Sequence, residues 1–331
     1  MAPIKVKIIS KGSPEKDADT QPQHWNGCEF HYGADFRGYD WLVVYDEFPQ
    51  SGNDGKRAAS ELLDCHPDHT VLVTVEPPSI KLYGTPYTDQ FGTVLSTQPE
   101  RVIRHRDHVR SGGGLLWFYG KPLDETLAQA EWNKTGVIST VCSTKQQTHT
   151  LHAKRFRLTQ HLAKAVPGFD WFGRGVRPME MKADALDPYR YHVAVENHSA
   201  PHHWTEKLAD SFLGLTLPFY GGHPDVVRYF PPESFILIPV DDPPEAARII
   251  NEAIANDEYS KRLPAIREAR RRILEQYNFY ALVSDISRKR HDDRGPVPGA
   301  KLLSRRALRR NPLNALRVFA ENIRYRLTKP E

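Results

Sequence analysis

Short runs of β-branched and aromatic residues punctuate the chain at Ile4 to Ser10, Trp41 to Tyr45, Val71 to Val75, Val137 to Cys142, Tyr191 to Val195, Leu217 to Tyr220 and Phe235 to Val240. Runs this short and this continuously apolar predict strands buried on both faces. Between them, apolar positions recur at helical spacing in Lys56 to Leu63, Arg155 to Ala165, Glu206 to Leu215 and Glu245 to Ala255. Strand and helix in alternation predict parallel sheets covered by helices, so the expected class is α/β. A chain of 331 residues is long enough for two such cores. The polar stretch after Cys142 puts the expected junction near residue 150, giving domains 1–150 and 151–287. Arg288 to Gly299, charged and then rich in Pro and Gly, reads as a linker that opens a final segment, 288–331.

Composition changes this picture little. With 39% hydrophobic and 26% charged residues the chain is globular rather than disordered. Cys28, Cys65 and Cys142 are odd in number and far apart, which argues for packed thiols in a reducing compartment. The sequence has no apolar run of roughly 20 residues, and Met1 is not followed by a basic-then-apolar leader. The expectation is a cytoplasmic protein. A net charge of +4 gives no global attraction to nucleic acid, and none is expected as a partner.

The distribution of charge says more. Lys301, Arg305, Arg306, Arg309, Arg310, Arg317, Arg324, Arg326 and Lys329 face only Glu321 and Glu331. Leu302, Leu303, Ala307, Leu308, Leu313, Leu316, Val318, Phe319, Ile323 and Leu327 are interleaved with them, as in an amphipathic helix interrupted at Pro312. Residues 300–329 therefore suit an anionic membrane surface. They equally suit a terminal helix packed on the protein with a solvated cationic face.

The stretch richest in chemistry runs Tyr191-His192-Val193-Ala194-Val195-Glu196-Asn197, then a loop to Trp204, then Thr205-Glu206-Lys207-Leu208. It reads as strand, loop and helix. The loop falls where a parallel strand ends and a helix N-terminus offers free N–H groups to an anion. Thr205 is the expected N-cap, and Lys207 in the first turn opposes the helix dipole unless an anion binds there. Leu217 to Tyr220 returns as a strand into Gly221-Gly222, a pair that permits close backbone approach to a ligand. Together these favour a diphosphate pocket.

These residues, with Pro218 to Gly222, Pro224 and Phe230-Pro231-Pro232-Glu233-Ser234-Phe235-Ile236, resemble the signature of glycosyltransferase family ten, the α-1,3/1,4-fucosyltransferases. Val137 to Lys145, Arg155 and Phe169-Asp170-Trp171-Phe172-Gly173 extend the resemblance, which covers roughly residues 136 to 280. It implies a GT-B fold: two Rossmann-like domains facing a cleft, the N-terminal one for the acceptor and the C-terminal one for the donor. It also implies an inverting mechanism and GDP-fucose as donor, with a glycan hydroxyl as acceptor and no obligatory metal or other cofactor. By the same resemblance Arg155, Asn197, His203, Glu206 and Lys207 contact the donor, with Arg155 and Lys207 neutralising the departing diphosphate. His203 stands where the family has tyrosine, and Val195 where it has phenylalanine, which keeps another nucleotide sugar open as the donor.

An inverting transferase needs a base for the acceptor hydroxyl. Glu76, at the end of the Val71 to Val75 run and before Pro77-Pro78-Ser79, resembles the family's catalytic carboxylate segment, with Asp46 and Glu47 as alternates. Asp241-Asp242 and Asp292-Asp293 read as turn formers, and no histidine has metal-ligand spacing. The alternative from another class is a nucleic-acid-binding protein that acts through its basic tail.

Overall fold

The computed structural model describes residues 2–11, 22–33, 35–51, 56–57, 60–114, 119–130, 132–144 and 151–328. Met1, Lys145, Lys329 and Glu331, named above, lie outside them. Contacts divide the chain into two compact units, one made of Met1–Gly114 with Phe279–Glu331, the other of Leu115–Asn278.

The first unit is built on β1 (Ile4–Ser10), β2 (His24–Trp25), β3 (Cys28–His31), β4 (Trp41–Tyr45), β8 (Thr70–Val73), β9 (Thr93–Ser96) and β10 (His108–Arg110). Their order across the sheet is β10-β9-β8-β4-β1-β3-β2, parallel except for the edge pair β2 and β3. All five residues of β4 and all four of β8 are buried, which is why these strands read as continuous apolar runs. The short strands β5 (Gln50–Ser51) and β6 (Lys56–Arg57) pair antiparallel, and β7 (Ser60–Leu62) comes next. The helix expected over Lys56 to Leu63 is thus replaced by β6 and β7. Pairing decides it, because β7 hydrogen-bonds to a strand near the C-terminal end of the chain, Lys301–Leu303, which local spacing does not reveal. Helix α1 (Thr85–Thr88) lies between β8 and β9.

The second unit holds α2 (Leu123–Ala128), β11 (Gly136–Val141), α3 (His152–Ala165), β12 (Phe169–Phe172), β13 (Tyr189–Val195), α4 (Glu206–Leu213), β14 (Leu217–Gly221), β15 (Ile236–Leu237), α5 (Pro243–Ala255) and α6 (Glu258–Arg272). Its sheet is wholly parallel in the order β12-β11-β13-β14-β15. Because β11 lies between β12 and β13, residues 136–141 belong to this unit, and the boundary expected near 150 moves to 114/115.

The chain then returns to the first unit through α7 (Phe279–Arg290), β16 (Lys301–Leu303), α8 (Arg305–Leu308) and α9 (Pro312–Leu327). β16 pairs antiparallel with β7, and Leu302 joins the first unit's core. The expected linker at 288–299 therefore begins inside a helix and leads into a strand, so the basic segment beyond it is no free arm. Pro312 does not interrupt a helix but starts one, at a first-turn position that loses no hydrogen bond, behind Asn311 as N-cap. No helix among the described residues is long and apolar enough to cross a membrane.

Candidate functional site

In the second unit, side chains at the C-terminal ends of β11 and β13 and on the first turns of α3 and α4 surround a cavity of about 320 Å³. This is the end of a parallel sheet where ligands bind in open α/β folds. Arg155, Asn197, Glu206 and Lys207 all line it. They come from three segments up to 52 positions apart, and local packing explains each placement.

Helix α3 buries Leu158, Thr159 and Leu162 against the sheet, and Arg155, one turn earlier on the same side, is carried to the cavity and is itself buried. Its Nη1 donates to Asn197 Oδ1 at 2.9 Å, and its Nε is buried with no hydrogen-bond partner among the described residues. Among the described residues the guanidinium meets no carboxylate. A buried cation held only by a neutral amide is costly unless an anion completes it.

Helix α4 is anchored from beneath by Glu196, which has no solvent exposure. Thr205 donates its N–H and its hydroxyl to the two Glu196 oxygens at 2.8 and 2.7 Å, and the Thr205 oxygen in turn accepts the Lys207 N–H, as an N-cap does. Lys207 Nζ donates to Glu206 Oε1 at 2.9 Å and to Thr205 Oγ1 at 3.1 Å, and lies 3.8 Å from Glu196. Burial alone would pull Lys207 down, but Glu206 and Glu196 outweigh it and hold the ammonium above its ordinary range. Burial pushes Glu206 up, yet Lys207 and Lys182 prevail and keep the carboxylate at about 2. Burial raises Glu196 against the opposing pull of Lys207.

Several lining residues were not singled out in the sequence. Lys182, at the start of a 3-10 turn, pairs with Asp210 at 2.8 Å and lies 3.9 Å from Glu206. Asp210 is pushed up to about 6 by burial, with Lys182 opposing. It stands four positions after Glu206, so helical spacing alone places the two on one face. Lys182 has no such signal, since only the fold brings its loop to the helix. Arg174 adds a fourth cation, against the two carboxylates of Glu206 and Asp210. His192, pulled down to about 3 by burial and then by Lys182 and Lys134, is neutral at physiological pH.

Gly173 is the glycine the cavity wall requires. Its φ is +138°, and a Cβ there would sit 2.5 Å from the Cys142 carbonyl oxygen. Gly221 and Gly222 serve otherwise than expected. Neither lines the cavity, and a Cβ would meet Val240 at 2.7 Å in the first case and the Tyr220 ring at 2.2 Å in the second. They are small to admit protein, not ligand.

His203 also stands apart from the four lining residues. It is 6% exposed, packs edge-on against His198 at 5.3 Å, and is not part of the cavity lining. Burial pulls it down to about 3, so it is a neutral packed imidazole.

Glu76 belongs to the first unit, in the turn three residues after β8 rather than at the strand's end. Its carbonyl accepts from Gln98 Nε2 at 2.8 Å, and the Tyr83 hydroxyl accepts the neighbouring Val75 N–H at 3.1 Å. The alternates are neutralised by ion pairs. Lys81 binds Asp46 at 2.7 Å and Glu47 at 2.9 Å, and Arg305 binds Glu47 at 2.7 Å. No cluster of three or more metal-ligating side chains occurs among the described residues.

Residues 132–262 match the family model for the C-terminal domain of glycosyltransferase family 10 (fucosyltransferase). An α-(1,3)-fucosyltransferase of Helicobacter pylori is 34% identical over 55 residues, a match that spans 17% of this chain and 12% of that protein. Among solved structures, an α1,3-fucosyltransferase is 16% identical with a TM-score of 0.48, over 84% of this chain and 92% of that one. An α1,3-fucosyltransferase with GDP-fucose gives 15%, 0.48, 83% and 92%. The segment that matches the glycosyltransferase family 10 model contains Arg155, Asn197, Glu206 and Lys207 and every other residue that lines the cavity.

Proposed function

We propose that the protein transfers fucose from GDP-fucose to a glycan hydroxyl with inversion at the anomeric carbon. The observation that carries this reading is the buried Arg155, which lines the cavity beside Lys207 and whose guanidinium meets, among the described residues, only the Asn197 side chain. A diphosphate supplies the missing negative charge. In the proposed step the acceptor oxygen attacks the anomeric carbon as the bond from that carbon to the β-phosphate oxygen breaks. Glu76 takes the acceptor proton, and Arg155, Lys207 and Lys182 stabilise the charge that grows on GDP. Fixed cations then do what a divalent metal does elsewhere, and Glu206, kept ionised, accepts hydrogen bonds from donor hydroxyls.

A different nucleotide sugar remains the second reading of the donor. His203, the substitution that first suggested it, is packed outside the cavity lining, which leaves the sequence departure with less weight. The two readings separate in a heat-shift titration with GDP, UDP and other nucleotides, run beside turnover of GDP-fucose on galactoside and N-acetylglucosamine acceptors. GDP-selective stabilisation with fucose transfer supports the proposal. Stabilisation by another nucleotide replaces the donor, and no response to any nucleotide refutes it.

A further inference from the structure

Helix α9 settles against the first unit by one narrow face. Val318 is 7% exposed and fills the space beside Gly84, where an added Cβ would lie 2.9 Å from Val318 Cγ2. Glu321 accepts the Thr85 N–H at 3.0 Å, and Arg101 donates to the Thr328 carbonyl at 2.6 Å. The other side carries Leu313, Leu316, Phe319, Ile323 and Leu327, spaced three or four residues apart and 69, 64, 62, 43 and 81% exposed. A helix normally turns such a stripe inward, and here it is the outward face that is apolar.

The rim of this face is cationic. Arg306, Arg309, Arg310, Arg317, Arg324 and Arg326 on α8 and α9 and just before α9 are all exposed, whereas the helix's acid, Glu321, is used against α1. Beside the helix, Arg101, Arg104 and Arg324 line a cavity of about 100 Å³. Five large apolar side chains in a row, bordered by arginines with little opposing charge, match a surface that is hydrocarbon within and anionic at its edge. A second copy of the chain fits less well, because pairing two such faces brings the two arginine rims together.

We propose that α9 docks in the plane of an anionic lipid bilayer, with Leu313, Leu316, Phe319, Ile323 and Leu327 entering the acyl boundary and the surrounding arginines meeting lipid phosphates. The inference is independent of the donor. A membrane-bound transferase of this kind would meet its acceptor at the lipid surface.

The test is co-sedimentation of the full chain with phosphatidylglycerol/phosphatidylcholine vesicles and with phosphatidylcholine vesicles alone. The wild type should sediment with the mixed vesicles and at least tenfold less with the neutral ones, and should be released as salt is raised. The double variant Leu316→Glu/Phe319→Glu should lose at least tenfold in binding while keeping its melting temperature, because both positions are exposed. Leu127→Glu, an equally polar change at an exposed position on α2, should bind as the wild type. On vesicles, amide exchange should slow within α9. Three results overturn the proposal: no binding to mixed vesicles, equal binding by the double variant, or a dimer in light scattering that the double variant abolishes without any vesicle binding.

Discussion

Replacing Arg155 by Met removes a charge and leaves most of the side-chain stem. In the folded protein Arg155 is buried, its Nε has no partner among the described residues, its Nη1 meets the neutral Asn197, and its charge opposes that of Lys207. Such a group contributes little to the empty protein and much to one holding an anion. Two effects of opposite sign are expected. Stability without ligand should stay the same or rise, since a desolvated and weakly compensated cation has gone. Affinity for GDP should fall by about 1.5–3 kcal/mol, the contribution of a hydrogen bond to a charged group, which is roughly 10- to 150-fold in Kd. Urea unfolding measures the first and calorimetric titration with GDP the second. If Arg155→Met binds GDP within twofold of the wild type, the cavity is not a diphosphate site of this design. If instead the variant is several kcal/mol less stable, Arg155 is part of the scaffold.

The same geometry sets other outcomes. Glu76→Ala should lower turnover by about 10²- to 10⁴-fold, as expected for removal of a general base, with the GDP-induced heat shift unchanged; turnover near wild type would remove Glu76 from the mechanism. His203 is held at about 3 in the fold against about 6.5 free, so its contribution to stability is present above pH 6.5 and is lost as pH falls toward 3. Urea unfolding at pH 7.5 and 5.5 should show His203→Phe losing about 1 kcal/mol less than the wild type over that interval, and equal losses would contradict a neutral buried imidazole. Gly173→Ala should cost about 1–3 kcal/mol for a strained backbone and also weaken GDP binding, because its Cβ collides with the Cys142 carbonyl in the cavity wall; a variant unchanged in both would mean the wall yields freely.

The candidate site was legible wherever its residues are local to one strand, loop and helix. Thr205 and Lys207 sit where a parallel strand runs into a capped helix, an arrangement that can be read without a structure, whereas Asn197 and Glu206 close by stood out through the family resemblance. Arg155 carried no such signal of its own and stood out only through the family resemblance. Lys182 was not visible at all, because nothing along the chain announces that a turn before β13 will lie against α4. The glycines at the end of β14, Gly221 and Gly222, show the opposite error. Glycine marks close approach, but the sequence does not say what approaches, and here it is Val240 and Tyr220.

By itself, then, the sequence determined the elements whose cause is local: the buried strands β1, β4, β8, β11, β13 and β14, the helices α3, α4 and α5, and the α/β class. Only the tertiary structure decided what depends on partners distant in the chain. It assigned β11 to the second unit through its pairing with β13, made strands of Lys56–Arg57 and Ser60–Leu62 by pairing the latter with β16, and returned the C-terminal segment to the first unit. It also chose which face of α9 is covered. Periodicity shows that a helix has an apolar side, but the burial of Val318 and the exposure of Leu316 and Phe319 depend on what α1 offers as a seat, and that is a property of the packed molecule.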